Sequence, residues 1–197
     1  MPNWCNNVLE ISHVSKDMMA RVIKAAEAKN NEPGLLAEFF PCPEDLQIVA
    51  GSVGVKGSPE QDALELQEDL NVKRYGYKNW YDWQINEWGT KWDICEPTID
   101  VQDDGYQATL SFDTAWAPPV QAYAKLEELG FTIKAYYYEP GMCFAGIYED
   151  GHDDCIEYSS MDSSQVAESF PKELDEMFCI SESMSEWEEE NSEVDEE

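Results

Sequence analysis

The chain has 197 residues, enough for one domain of ordinary size with an insertion or a tail, and nothing in its length demands two. With 43% hydrophobic and 12% aromatic residues, seven Trp and ten Tyr among them, it holds enough apolar surface to offset the entropy of ordering it, which excludes a wholly disordered protein. Its 42 acidic and 12 basic residues give a formal net charge of -30, which repels nucleic acid and attracts basic surfaces such as the clefts with which proteins hold DNA or RNA. Solubility alone is the plainer account of the same charge.

In chain order, Trp4 to Ser12 reads as a first strand, with Val8, Leu9 and Ile11 its β-favouring residues. Ser15 then caps a predicted helix from Lys16 to about Lys29, whose Met18, Met19, Val22, Ile23 and Ala26 share one face; Asn30, Asn31, Pro33 and Gly34 end it. Residues 35 to 88 read as an insertion. It holds the glycine-rich GSVGVKG of residues 51 to 57, a helix opening at Pro59 and running to Leu70, and a helical spacing of Trp80, Trp83 and Trp88 stopped by Gly89. From Thr98, IDVQ and YQATLSF alternate about a turn at Asp103, Asp104 and Gly105, predicting a hairpin. DTAWAPPV breaks the pairing, and Pro118 or Pro119 opens a helix with Val120, Tyr123, Leu126 and Leu129 on one side, closed by Gly130. Three strands are expected over Phe131 to Tyr138, Met142 to Tyr148 and Cys155 to Tyr158, with turns at Pro140-Gly141 and Asp150-Gly151.

This order predicts an α+β fold: a ferredoxin-like antiparallel sheet with helices on one face, spanning residues 1 to 158 with the insertion at about 35 to 88. Residues 159 to 197 are expected to be an acidic C-terminal extension. Phe170, Leu174, Met177 and Phe178 predict one amphipathic helix there, and SEWEEENSEVDEE at the end is expected to be disordered by self-repulsion. Residues 149 to 197 hold 19 acidic residues and one lysine, a net of -18, so most of the excess charge is C-terminal.

Cys5, Cys42, Cys95, Cys143, Cys155 and Cys179 are scattered, with no CxxC pair, and read as reduced thiols. The opening residues lack the basic and apolar regions of a signal peptide, and no apolar run nears the roughly 18 residues of a membrane span, so the expected location is the cytoplasm, with no membrane partner.

Four segments carry a family resemblance: Met1-Pro2-Asn3-Trp4-Cys5-Asn6-Asn7, WYDWQINEWGTKWD from Trp80 to Asp93, FDTAWAPP from Phe112 to Pro119, and GMCFAG from Gly141 to Gly146. In these the chain resembles the YubB-like family of plasmid and phage proteins, also called Api-ninety-two-like, over most of residues 1 to 148. The resemblance implies a ferredoxin-like domain and a mobile-element origin, with host cytoplasm as its setting, but supplies no catalytic residues; the acidic C-terminal part departs from the family pattern.

Catalysis by the usual imidazole would fall to His13 or His152. His13 follows a predicted strand and reads as a turn residue. DGHDDC around His152 has metal-ligand residue types, but neighbours in a strand point to opposite faces and rarely share one metal. The DDG of residues 103 to 105 lacks the other ligands of a calcium loop, and GSVGVKG lacks the GKS or GKT ending of a phosphate loop. No enzyme activity, metal or cofactor is therefore expected. Trp80, Trp83, Trp88, Trp92 and Trp116 form a candidate aromatic pocket, with core packing as the simpler role; Lys73, Arg74, Lys78 and Lys91 are the only cations near them, too few for direct nucleic-acid binding.

The expected function is that of an anti-defence inhibitor, a phage-borne DNA mimic whose Asp150, Asp153, Asp154, Glu157, Asp162 and Glu168 occupy the basic nucleic-acid-binding surface of a host protein. Two alternatives stand beside it: an interaction adaptor whose charge serves solubility, and a small-molecule-binding domain walled by the tryptophans. Edge strands leave a homodimer open.

Overall fold

In β1 (Trp4–Ser12) burial alternates, with Cys5, Asn7, Leu9 and Ile11 turned inward, as a half-buried strand requires. The computed structural model describes residues 3–28 and 32–192, so Met1, Pro2, Lys29, Asn30 and Asn31, with the expected end of the first helix, lie outside the described residues. After β1 come α1 (Lys16–Ala26), α2 (Leu35–Phe39), a 3-10 turn at Glu44–Leu46, α3 (Pro59–Tyr75) and α4 (Trp80–Glu87). Then follow β2 (Cys95–Val101), β3 (Gln107–Ala115), α5 (Val120–Glu128), β4 (Thr132–Glu139), β5 (Phe144–Glu149) and β6 (His152–Glu157). The chain closes with α6 (Ser163–Ser169), α7 (Lys172–Phe178) and α8 (Ile180–Ser192).

The fold is α+β, built on one six-stranded antiparallel sheet in the order β2-β3-β1-β4-β5-β6. β1 is central, with Leu9 opposite Leu110 on one side and Ala135 on the other. Since β2 and β1 both run antiparallel to β3, they run the same way with β3 between them. Asp104 accepts from Tyr106 N–H at 2.9 Å, and Gly105 at φ 70° completes the β2–β3 turn expected at that position.

On the first face of the sheet Met19, Val22 and Ala25 of α1, Leu35 of α2, and Tyr123 and Leu126 of α5 pack against Leu9, Ile11, Leu110, Phe112 and Ile133. Each Val, Leu, Ile, Met or Phe side chain among these contributes about 1.5–3 kcal/mol by leaving water. The insertion is not wholly peripheral, because Leu36 and Trp88 are buried with Ala122. Asp93 pins α2 by accepting N–H groups from Leu36, Ala37 and Ile94 at 3.0, 2.9 and 2.8 Å. Burial pushes its carboxyl above the ordinary aspartate value, and the three N–H donors oppose that rise. α3 lies outside the core: Asn71 is its one buried residue, and Arg74 and Tyr75 hold Asp45. Ser58 caps it, Pro59 opens it, and Gly76 at φ 84° ends it after Tyr75, five residues beyond the expected Leu70.

The second face corrects two expectations. Helices were expected on one face only, yet α6, α7 and α8 cover the other, where Val166, Phe170, Leu174 and Ile180 pack on Tyr136, Ala145 and Tyr158. The reason is the width of the sheet: β5 and β6 carry Ala145, Ile147 and Ile156 on that side, and these apolar positions need a cover. Charge was also expected to leave residues 185 to 197 without structure, but residues 185–192 continue α8; 193–197 lie outside the described residues. Glu188 anchors α8 by accepting from Ser163 N–H at 2.9 Å and its hydroxyl at 2.6 Å, and Asp175 accepts from both groups of Ser181. Tertiary hydrogen bonds and the packing of Ile180 and Met184 thus outweigh repulsion among neighbouring glutamates.

Candidate functional site

The four segments that carry the family resemblance meet at one end of the sheet. Gly89 has φ 94°, a conformation that residues with a side chain rarely adopt, and a Cβ there would press on the Pro118 carbonyl oxygen and the Val120 nitrogen at 3.1 Å. Beside it the buried Thr90 hydroxyl donates to the Ala115 carbonyl at 3.0 Å, and Ala122 N–H donates to the Trp88 carbonyl at 3.2 Å. Thr114 donates to the Ala117 carbonyl at 2.8 Å, while the Asn7 amide donates to Thr114 Oγ1 at 2.9 Å and to the Cys5 carbonyl at 2.8 Å. Trp116 N–H donates to the Asn3 carbonyl at 3.0 Å. Glu139, 1% exposed, accepts N–H groups from Gly141 and Met142. These polar groups are tied to one another and to backbone carbonyls, which stiffens this end of the sheet, although the buried Asn7 Oδ1 has no partner among the described residues.

The five candidate tryptophans do not form one pocket. Trp88 is buried, its indole N–H donates to the Phe40 carbonyl at 2.9 Å, and Trp83 meets it edge to face at 5.5 Å. Trp80 packs edge-on against Tyr81 at 5.9 Å. Trp92 and Trp116 are exposed instead, and both face Lys91, whose Nζ stands 4.6 and 4.8 Å from their ring centroids and 5.8 Å from that of Tyr81. Trp4 joins them, 6.2 Å from Trp92. Trp116 has φ 71°, a left-handed backbone conformation that costs a bulky residue about 1–3 kcal/mol.

The acidic positions are likewise distributed. Asp150 (φ 50°) and Gly151 (φ 76°) make the β5–β6 turn. Asp153 and Glu157 share one side of β6 with Cys155, and Asp154 takes the other. Asp162 caps α6, accepting from Gln165 N–H at 2.8 Å while Gln165 accepts from Asp162 N–H, a capping box. Glu168 is exposed on α6.

Asp153, Cys155 and Glu157 line a cavity of about 290 Å³ with Ala117, Pro118 and Phe144. The Tyr137 hydroxyl crosses to it over Gly146, where a Cβ would lie 2.2 Å away, and donates to Asp153 Oδ1 at 2.6 Å. Burial first, then that bond, push the Tyr137 phenol well above its usual range. Burial also pushes the Cys155 thiol up, against a lowering hydrogen bond with Tyr137, and the charges of Asp153 and Glu157 add to the rise. The thiol is therefore protonated near neutral pH and a poor nucleophile.

His13 is held as a turn residue, as expected. Its Nδ1 accepts from Ser15 N–H at 2.8 Å, and its Nε2 lies 3.2 Å from the Leu129 carbonyl. Among the described residues no three His, Cys, Asp or Glu side chains converge as metal ligands, and no helix is long and apolar enough to cross a membrane. Sequence reasoning missed Tyr137, Asn7, Thr114 and Glu139. A signal existed for Tyr137, since a glycine opposite an aromatic residue in a predicted hairpin marks a place where the ring lies across the neighbouring strand.

No family model matches the chain, and no curated protein matches it. Among solved structures it has a distant likeness to a protein Api92 from Yersinia pseudotuberculosis, described there under the family model DUF1281: 13% identity, 81% of this chain and 99% of that chain covered, TM-score 0.39.

Proposed function

We propose that the protein is a mobile-element accessory with a ferredoxin-like core, which binds a host protein through its basic nucleic-acid-binding surface and blocks it by offering carboxylates in place of phosphates. One observation supports this above the others. The acidic C-terminal part is a folded layer, so Glu168 on α6 and Glu182 and Glu186 on α8 hold their charge on helices seated on the sheet. Charges already held in place lose little conformational entropy on binding, whereas a disordered acidic tail would lose much. The strand order β2-β3-β1-β4, with α1 and α5 on one face, supports the ferredoxin-like part of this reading.

The test keeps the chain whole. Wild type and a Glu168→Lys, Glu182→Lys, Glu186→Lys variant are used to capture host nucleic-acid enzymes at low and high salt, and each captured enzyme is assayed for inhibition. Mimicry requires inhibition that weakens steeply with salt and is lost in the variant. Inhibition indifferent to both salt and charge reversal sinks it.

A second reading, an adaptor surface, is favoured by the exposed, strained Trp116 beside Trp92 and Lys91. In that case Trp116→Ala weakens partner binding at least about tenfold, the size of a buried interfacial aromatic, while the charge-reversed chain binds normally.

A further inference from the structure

The two edges of the sheet are built differently. β2 carries Pro97, which has no N–H, and a register shift between Cys95 and Thr98 with Glu96 at φ 48°, so its outer ladder is interrupted. β6 pairs with β5 residue for residue from Phe144 opposite Glu157 to Glu149 opposite His152, without proline or bulge. Tyr158 N–H donates to the Cys143 carbonyl at 2.8 Å. Antiparallel alternation from that bond sends the backbone groups of Ile156, Asp154 and His152 toward β5 and those of Glu157, Cys155 and Asp153 outward. These same three residues carry the side chains that line the cavity beside Ala117, Pro118 and Phe144. An open ladder and a pocket for an alternate side chain therefore lie side by side, the two parts of recognition by strand addition.

Charge selects the occupant. Glu157 makes no hydrogen bond or ion pair among the described residues, and Asp153 commits only one oxygen to Tyr137. A second copy of β6 would set Asp153, Asp154 and Glu157 against their like, so the edge rejects self-pairing. A basic strand meets the opposite situation: Pro118 and Phe144 offer apolar contact for a long side-chain stem, and two carboxylates await its charge. We infer that an extended Lys- or Arg-rich segment of the partner adds to β6 as a seventh strand, with one basic side chain in the cavity between Asp153 and Glu157. This rests on the reading of the protein as a binder of a basic partner and adds the mode of attachment.

The probe is a decapeptide of alternating Lys and Thr, titrated into the ¹⁵N-labelled full chain. Amide exchange at Asp153, Cys155 and Glu157 is expected to slow at least about tenfold on saturation. Cys155→Pro, which removes an outward N–H and leaves the β5 ladder intact, should weaken the peptide at least about tenfold, and Glu157→Gln should weaken it and flatten its salt dependence. A version N-methylated at alternate amides should not bind. If the peptide binds while the three amides stay unprotected and Cys155→Pro has no effect, strand addition is overturned while attraction of a basic partner survives. If the peptide does not bind, strand addition is overturned, and the inhibitor reading is judged separately by the Glu168, Glu182 and Glu186 reversals.

Discussion

The two faces of the sheet are closed by different means. On the first, α1 and α5 follow strands directly in sequence and bring side chains such as Val22 and Leu126 onto Leu9 and Ile133. On the second, three consecutive C-terminal helices, rich in acid outside, seat aromatic residues inside: Tyr138 stacks on Phe178 at 5.6 Å and on Tyr158 at 6.3 Å. The lesson is that a strongly acidic segment need not be a tail. A few apolar residues at helical spacing, and carboxylates used as caps and ties, suffice when a bare sheet face is available.

The largest effect should come from removing residues 160–197. This strips the cover from Tyr136, Ala145 and Ile147, and the truncated chain should bind a hydrophobic dye and aggregate. A truncated monomer with an unchanged melting temperature would show that the second layer is dispensable. Next, Leu9→Ala on the first face and Leu174→Ala on the second should each cost about 2–5 kcal/mol in urea unfolding. Both should shift one shared transition; a separate early transition for Leu174→Ala would make the second layer an independent unit. Smaller still are the helix pins. Asp93→Ala, which orphans buried N–H groups, should cost about 1–3 kcal/mol, and Asp162→Ala, which removes a local cap, about 1 kcal/mol. Equal losses would mean that burial of the cap is irrelevant.

The smallest effect depends on pH. Burial raises the Glu87 carboxyl, but the Lys125 ammonium and Tyr77 hydroxyl lower it more, and its net pKa is depressed. A depressed carboxylate stabilises the fold above its unfolded value near 4.5, and that contribution is lost as pH falls through the folded value. Glu87→Gln should therefore cost at most about 1 kcal/mol at pH 7 and less at pH 3, measured by urea unfolding at both. A constant difference across that range would remove the ion pair from the account.

The β1 alternation, the Asp103-Asp104-Gly105 turn, the Pro118-Pro119 helix start and the glycine stops could all be read from local sequence, because each depends on backbone preferences within a few residues. The candidate site was legible only in fragments. Trp83 and Trp88 look like Trp92 and Trp116 in the chain, yet one pair is packed against Leu36 and Ala122 and the other faces outward around Lys91. Nothing local separates them, since the difference is set by where α2 and α5 lie.

By itself, then, the sequence determined the α+β character, most element positions and the concentration of charge in the C-terminal quarter, all properties of composition and short-range periodicity. Tertiary structure alone decided that the charged quarter forms a second layer, because only the paired strands present the apolar face that α6, α7 and α8 cover. It also decided that β6 is an open edge while β2 is blunted. Edge position follows from strand order, and strand order is settled by long-range pairing that no local pattern encodes.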